Sequence, residues 1–488
     1  MGNLFLSALI VSTAIITSLL YILKSWRKKS LSFRFNKFDL VLILFGGSLL
    51  FTNLINHSYP QENFATWGVL FLSFLALNLT LPVLLKKRKK LIKTLVIIEV
   101  LAFIFYLLFS FTQAHTPLSV SMAVTIKTWQ SPKQILLGVG NNKIANVLNQ
   151  YRPLWINGHR LWNTNFTQGT NYFFDLYLGS GILPLFFYLL LIFYVIKNYP
   201  PSILVFLLTL LLPNTIYFSS LLFALLITYS LLRPYSLKRI DFQGKFIFII
   251  FRVLLLVSAL LIIGSCFLYG RILLAKFIFY RSTLLGTTQI SQIYQLQQRA
   301  IQLYPYSSEL RHAYAVTNLN MAAALMQKSE LNEVEKTQLS KIMSQTIREA
   351  KICTQIDSGN FSHWQFLGEV YNNLSGLVKD APAFAIESYA EAIRRSPQNP
   401  ILYLSLGKTY YEAGNYEQAQ KVFEASLQIK PDLSAIYYHL ARTFRELKKY
   451  EAAKVNYQKA LLLLKSDSED YLLVSQELLN LEKMNSGN

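Results

Sequence analysis

The sequence predicts an all-α protein in which a multi-pass helical membrane domain is followed by a solenoid of helical hairpins. Long apolar runs and a strong excess of positive charge both fall in the first 270 residues. Nearer the C-terminus, small and aromatic residues recur with a period of 34 residues. Hairpins that repeat with such a period stack on one another and bury a continuous core.

Apolar runs in the N-terminal part predict about eight membrane-spanning helices. A helix needs about 20 mostly apolar residues to cross a hydrocarbon core of roughly 30 Å. One shorter run, 203–212, lies between Pro201 and Pro213, and the sidedness of everything after it depends on whether it crosses. The other runs are 4–23, 40–55, 67–85, 94–111, 173–196, 214–232 and 246–268.

The charge distribution gives the expected orientation in the membrane. Residues up to Gly270 hold 23 Lys or Arg against 5 Asp or Glu, which accounts for +18 of the net charge of +21. Because the basic clusters flank apolar runs, they indicate the cytoplasmic face of a membrane and not a nucleic-acid surface. Eight spans place segment 113–172 and the repeats on the outer side of a bacterial cytoplasmic membrane. If 203–212 does not cross, the repeats are cytoplasmic.

Segment 113–172 is predicted to be an external basic loop that could carry chemistry. It contains five Lys or Arg and two His but no Asp or Glu. Arginine binds phosphate oxygens through its planar fork, so this composition suits an anionic ligand, while Trp155 and Trp162 could stack on sugars. The alternative is a loop whose aromatic and basic residues anchor at lipid headgroups.

Two stretches of this region, LLGVGNN and TNYFFDLYLGSGILP, resemble the O-antigen ligase and polymerase superfamily. Gly138 and Gly140 match the family's Gly-x-Gly motif, and Asn171 and Gly181 match a second motif. The sequence departs from that second motif at Thr170, where the family has His, at Gly179 and at Pro184.

The resemblance implies transfer of saccharide from a polyprenyl-pyrophosphate carrier, with no metal and no cofactor. The candidate catalytic residues are His159 and Arg160. The candidate substrate-binding residues are Arg152, Lys127, Gly138, Gly140 and Asn171. Because no His stands at position 170, enzymatic activity is left open, and the alternative is a non-catalytic membrane scaffold that presents the repeats for protein interaction.

The 34-residue period is typical of tetratricopeptide repeats. The clearest copy places Tyr403, Leu406, Gly407, Tyr410, Ala419, Phe423 and Pro431 at the family's positions. We therefore predict repeats over 361–467, whose groove binds an unidentified protein or peptide. The remaining predicted parts are membrane helices at 1–112 and 173–270, degenerate repeats at 271–360, and a polar capping helix with a tail at 468–488.

Overall fold

The computed structural model describes residues 30–34, 37–56, 116–198, 237–241, 245–286, 289–328, 330–375 and 380–486. The chain divides into two compact units. The N-terminal unit comprises Met1–Leu148 and Phe166–Phe277, and the repeat unit comprises Asn149–Asn165 and Ile278–Asn488. The predicted spans 4–23, 67–85, 94–111, 203–212 and 214–232 lie outside the described residues.

The N-terminal unit contains helices of different lengths and one small sheet. Strand β1 pairs antiparallel with β2, with Ser30 opposite Asp241 and Arg34 opposite Leu237, so the all-α prediction omitted a two-stranded sheet. The elements are β1 (Ser30–Arg34), α1 (Lys37–Ile55), α2 (Leu118–Thr128), α3 (Pro132–Leu137), α4 (Ile144–Gln150), α5 (Tyr172–Ser180), α6 (Ile182–Asn198), β2 (Leu237–Asp241) and α7 (Lys245–Thr283), with a 3-10 turn at Asn141–Lys143. Residues 149–150 of α4, residues 278–283 of α7 and a 3-10 turn at Leu154–Gly158 are assigned to the repeat unit. In the part of the chain that the structure describes, no helix meets the length and hydropathy of a membrane span.

Three boundaries in this region differ from the prediction. Segment 113–172 is not one loop: it contains α2, α3 and α4, of which α2 and α3 begin beside Pro117 and Pro132, residues that favour helix N-termini. The predicted span 173–196 is broken at Gly181, whose φ of +81° ends α5. The predicted boundary at Gly270 falls inside α7, because residues 271–283 contain no Gly or Pro to stop the helix.

The repeat unit is a run of paired helices. Within the described residues, hairpins form between α9 and α10, α11 and α12, α13 and α14, and α15 and α16. The elements are α8 (Ile290–Leu303), α9 (Ser308–Met326), α10 (Glu333–Ile356), α11 (Phe361–Asn373), α12 (Ala381–Arg395), α13 (Pro400–Glu412), α14 (Tyr416–Ile429), α15 (Ser434–Glu446), α16 (Tyr450–Leu463) and α17 (Glu469–Ser486). The predicted helical repeats are confirmed.

The periodic residues form the core of this unit because they place small side chains where helices approach. Ala419, Phe423, Ala453 and Tyr457 are fully buried. Asparagine side chains cap the helix starts, as Asn399 does by accepting a hydrogen bond from the Ile401 amide.

The last helix is less polar than predicted. Val474 and Leu481 pack into the core, but Leu472 and Leu479 are 64% and 55% exposed. These two leucines are seven residues apart and therefore share the outer face of α17. The predicted polar cap is corrected to a cap with exposed leucines.

Candidate functional site

The first helices of two neighbouring repeats, α13 and α15, are in contact and present a basic and aromatic surface. Lys408 and Arg442 occupy equivalent positions, 34 residues apart, in the two repeats. The Cζ of Arg442 lies 4.9 Å from the ring centre of Tyr411 and 5.7 Å from that of Tyr438. We call the surface formed by Lys408, Tyr411, Tyr438 and Arg442 the Tyr-Arg surface.

The electrostatics of the Tyr-Arg surface favour a negatively charged ligand. The Nε of Arg442 is buried and has no hydrogen-bond partner among the described residues. The neighbouring carboxylate of Glu446 accepts hydrogen bonds from Arg445 and from the hydroxyl of Tyr411. The buried Nε is out of a ligand's reach, so an incoming carboxylate would pair with the exposed ammonium of Lys408 and with the accessible part of the half-buried Arg442 guanidinium, beside the two tyrosine rings.

His439 lies beside this surface and is kept neutral. Its ring stacks on Phe423 with 5.8 Å between ring centres. Burial, with a contribution from Lys408 and Arg442, lowers the pKa of His439 to about 4. His363 in α11 is similar, since burial and then His312 lower its pKa to about 4.

These histidines make the repeats sensitive to acid. The unfolded chain takes up protons on His near pH 6.5, whereas the folded chain resists them down to about pH 4, so stability is complete above pH 6.5 and falls as pH drops toward 4. For His363 we expect a loss on the order of 2 to 3 kcal/mol, measured by urea unfolding at pH 7.5 and pH 4.5. The His363→Gln variant should show a smaller pH dependence, and an unchanged one would contradict the assignment.

Residues 149–165, which we call the strap, belong to the repeat unit although they are far from the repeats in sequence. The Asn157 side chain is 2% exposed, and its Nδ2 donates to the carbonyls of Gln398 at 2.9 Å and Ile429 at 3.4 Å. Gln398 lies in the turn between α12 and α13, and Ile429 is the last residue of α14, which ends the following repeat. One asparagine of the strap therefore bridges two repeats.

Lys430 completes this contact. It is 5% exposed, and its Nζ donates to the Asn157 carbonyl at 2.8 Å and to Asp432 Oδ1 at 2.8 Å. The same ammonium lies 4.7 Å from the ring centre of Trp162 and lowers the pKa of the Asp432 carboxyl. The strap is thus fixed by a buried charge with three partners.

Removing this charge should loosen the strap. We expect Lys430→Met to destabilise the strap contact by about 1 to 3 kcal/mol, because the buried carbonyl of Asn157 loses a charged donor. Hydrogen exchange of the strap amides in the full chain measures the effect. Lys421→Met, which changes an exposed lysine of α14, is the control and should leave exchange unaltered.

Arg152, a candidate substrate-binding residue, is buried inside the strap. It is 4% exposed, and its guanidinium donates to the carbonyls of Leu161, Trp162 and Thr164. Burial lowers its pKa to about 10, so it remains charged at neutral pH. The structure therefore gives Arg152 a role in folding the strap.

The glycines of the GVGNN stretch pack against the last turn of α5. The amides of Val139 and Gly140 donate to the carbonyls of Leu178 and Gly179, both at 2.8 Å. Gly138 has a φ of +70°, and a Cβ there would lie 2.5 Å from the backbone of Gly179 and Ser180. Close packing and a positive φ account for Gly138, and a φ of +99° accounts for Gly140.

Asn171 caps a helix. Its side chain accepts a hydrogen bond from the Phe174 amide at the start of α5. Next to it, the amide and hydroxyl of Thr170 bond to the hydroxyl of Ser121 at 2.9 and 2.8 Å. Asp175, which belongs to no motif of the sequence, is buried and accepts a hydrogen bond from the Gly169 amide.

The remaining candidates are exposed, and the seven residues divide between the units. Lys127 is exposed on α2, and His159 and Arg160 are exposed on the strap. The N-terminal unit holds Lys127, Gly138, Gly140 and Asn171, whereas Arg152, His159 and Arg160 belong to the repeat unit. Among the described residues, no group of His, Cys, Asp or Glu has the arrangement of a metal site.

Comparison with known proteins identifies the C-terminal repeats. A tetratricopeptide-repeat family model matches residues 400–466. No curated protein sequence matches the chain. The predicted tetratricopeptide repeats are confirmed by the family match together with the helix pairs.

Several solved structures are similar to part of this chain at low identity. A thermophilic TPR protein of Thermus thermophilus is 17% identical, with 42% of this chain and 98% of that chain covered and a TM-score of 0.30. MamA of Desulfovibrio magneticus is 12% identical, with 41% and 98% covered and a TM-score of 0.33. YrrB, described as a TPR protein with an unusual peptide-binding site, is 14% identical, with 41% and 90% covered and a TM-score of 0.30.

Proposed function

We propose that this protein is a membrane-held adaptor whose tetratricopeptide repeats bind an acidic segment of a partner protein. The observation that carries the proposal is the Tyr-Arg surface, where Arg442 lies between Tyr411 and Tyr438 and Lys408 stands at the equivalent position of the preceding repeat. Solenoids of this type bind extended segments along the surface formed by successive repeats.

Attachment to a membrane is supported by charge and by exposed apolar residues in the N-terminal unit. The chain before Arg271 contains 23 basic and 5 acidic residues. Such an excess of positive charge is typical of segments at a cytoplasmic membrane face. Phe186 and Phe193 of α6 are 54% and 65% exposed, as expected of side chains in contact with lipid. The repeats then lie on the outer side of the membrane.

Arg442→Gln tests the binding surface. A fluorescein-labelled hexaglutamate peptide should bind the purified full chain, and the variant should bind it about tenfold more weakly, because one charged contact of about 1.4 kcal/mol is lost. Lys421→Gln removes the same charge from α14 and should keep the wild-type affinity. Equal affinity for hexaglutamate and hexalysine would overturn the proposal.

A second candidate function is saccharide transfer from a polyprenyl-pyrophosphate carrier. The observation that favours it is the exposed neighbouring pair His159 and Arg160, which could supply a base and a cation to a glycan pyrophosphate. Arg152, Gly138 and Asn171 contribute to this function through the fold alone. A deletion strain complemented with Arg160→Ala should then fail to restore the surface-glycan ladder, and a ladder unaffected by the deletion would exclude transfer.

A further inference from the structure

Helix α2 (Leu118–Thr128) exposes apolar side chains along one stripe. Its apolar residues recur at intervals of three and four, which places them on one side of the helix. The exposed fractions are 51% for Leu118, 51% for Met122, 58% for Ile126 and 57% for Trp129, which directly follows the helix. Leu136 in α3 is also 55% exposed.

One face of α2 packs into the N-terminal unit and is part apolar, part polar. Val120 and Val124 are buried there together with Ser121, Thr125 and Thr128. Ser121 bonds to Thr170, and the Thr128 hydroxyl donates to the Thr125 carbonyl at 2.6 Å. A helix between a protein core and water has polar residues on its outward side, so the feature of α2 that needs a reason is its exposed apolar stripe.

A third face of α2 is exposed and polar. Each residue turns the helix by about 100°, so Lys127 lies about 180° from Leu118 and about 100° from Ile126, whereas Ser119 lies about 20° from Ile126, at the edge of the apolar stripe. Lys127 is exposed, as is Gln130. The helix therefore presents one side to protein, one apolar side outward and one polar side outward.

This arrangement fits a helix that lies in the plane of a membrane surface. Eleven residues span about 16 Å, roughly half of a hydrocarbon core, so α2 is too short to cross. An interfacial helix immerses its apolar stripe among acyl chains and keeps its polar stripe in water.

Charge identifies the lipid. Between Thr116 and Phe174 the sequence contains no Asp or Glu, while Lys127 in α2 and Lys133 in α3 are exposed. Basic residues at a membrane surface attract anionic headgroups, at about 1 kcal/mol for each charge.

We propose that α2 is an interfacial helix that docks on an anionic lipid bilayer through Leu118, Met122, Ile126 and Trp129. The proposal rests on the membrane attachment in the proposed function and is independent of the Tyr-Arg surface. Helix α2 would then hold the contact between Ser121 and Thr170 at the depth of the lipid headgroups. The start of α5 would lie at the same depth.

Spin labels on the full chain test this placement. In a Cys266→Ser and Cys353→Ser background, single labels are attached at Met122→Cys and at Lys127→Cys, an exposed position about 140° from Met122 around the helix. The chain is reconstituted in vesicles of phosphatidylethanolamine and phosphatidylglycerol. The label at 122 should be more accessible to oxygen than to a water-soluble nickel complex, and the label at 127 should show the opposite preference.

Each outcome decides the proposal. If both labels are more accessible to the nickel complex, the stripe lies in water. If the label at 122 is protected from both reagents, the stripe is covered by protein. Either result overturns the proposal. Replacing phosphatidylglycerol by phosphatidylcholine, or Lys127 and Lys133 by Gln, should reduce the immersion of the label at 122, and no reduction would overturn the assignment to anionic lipid. Flotation of the same samples distinguishes the interfacial helix from membrane attachment in general. If the chain floats with the vesicles but the label at 122 is not immersed, only the interfacial helix is refuted. If the chain does not float, membrane attachment is refuted as well.

Discussion

Gly138→Ala is expected to prevent the N-terminal unit from folding. A Cβ at this position would lie 2.5 Å from backbone atoms of Gly179 and Ser180, which cannot move aside as a side chain could. The φ of +70° adds backbone strain for alanine. Together these effects should cost on the order of 3 kcal/mol or more. The yield of monodisperse full chain in detergent, with its thermal midpoint, measures the loss.

Gly47→Ala is the matched control for this experiment. Gly47 lies in α1 of the same unit, and a Cβ there would have no neighbour within 4 Å. Alanine favours a helix over glycine by roughly 0.5 to 1 kcal/mol, so this variant should be as stable as wild type or more so. If Gly138→Ala behaves like Gly47→Ala, the close contact between the two glycine segments is wrong.

Gly407→Ala should destabilise the hairpin of α13 and α14. The new methyl group would lie 2.4 to 2.8 Å from ring atoms of Phe423, which is fully buried. Overpacking of this kind typically costs about 1 to 3 kcal/mol. Hydrogen exchange of the α13 and α14 amides in the full chain should accelerate accordingly.

The Phe423→Leu variant provides the control for this clash. Alone it should destabilise the hairpin by leaving a cavity, but combined with Gly407→Ala it should cost less than the two single changes added together. Additive effects would show that the methyl group and the ring do not compete for the same space.

The repeats were predictable because their pattern is local and periodic. Gly407 and Phe423 are 16 residues apart, and the same spacing places Ala441 against Tyr457 in the next hairpin. A small residue that faces a large one defines the repeat in the sequence and is also the packing contact in the structure. The sequence pattern therefore predicts the contact directly.

The strap was not predictable from the pattern of residues. Asn157 and Lys430 are 273 positions apart, and neither belongs to a motif. Arg152 was assigned to a ligand because an arginine in a loop without carboxylates suits phosphate, but backbone carbonyls of Leu161 and Thr164 satisfy it. The amino-acid composition shows that an arginine side chain needs hydrogen-bond acceptors. It does not show whether those acceptors are the oxygens of a bound phosphate or the carbonyls of the chain itself.

The glycines illustrate the same ambiguity. Gly138 and Gly140 match a family motif, and a glycine-rich segment suits both close approach of a ligand and close approach of another backbone. The structure shows the second case, because residues 178–181 lie against this segment. Gly179 in turn leaves space for the side chain of Asn141. Asp175 was passed over because it follows the segment without carboxylates and lies inside an apolar run.

In-cell photo-cross-linking from the Tyr-Arg surface tests the central claim most directly. A photoreactive amino acid is placed at Tyr438 of the full chain and, as the control, at Gln418, which is exposed on α14. We expect one discrete protein adduct from position 438, absent from position 418 and lost when Arg442→Gln is added. Equal labelling from both positions, or an adduct that persists with Arg442→Gln, would contradict a partner bound at this surface.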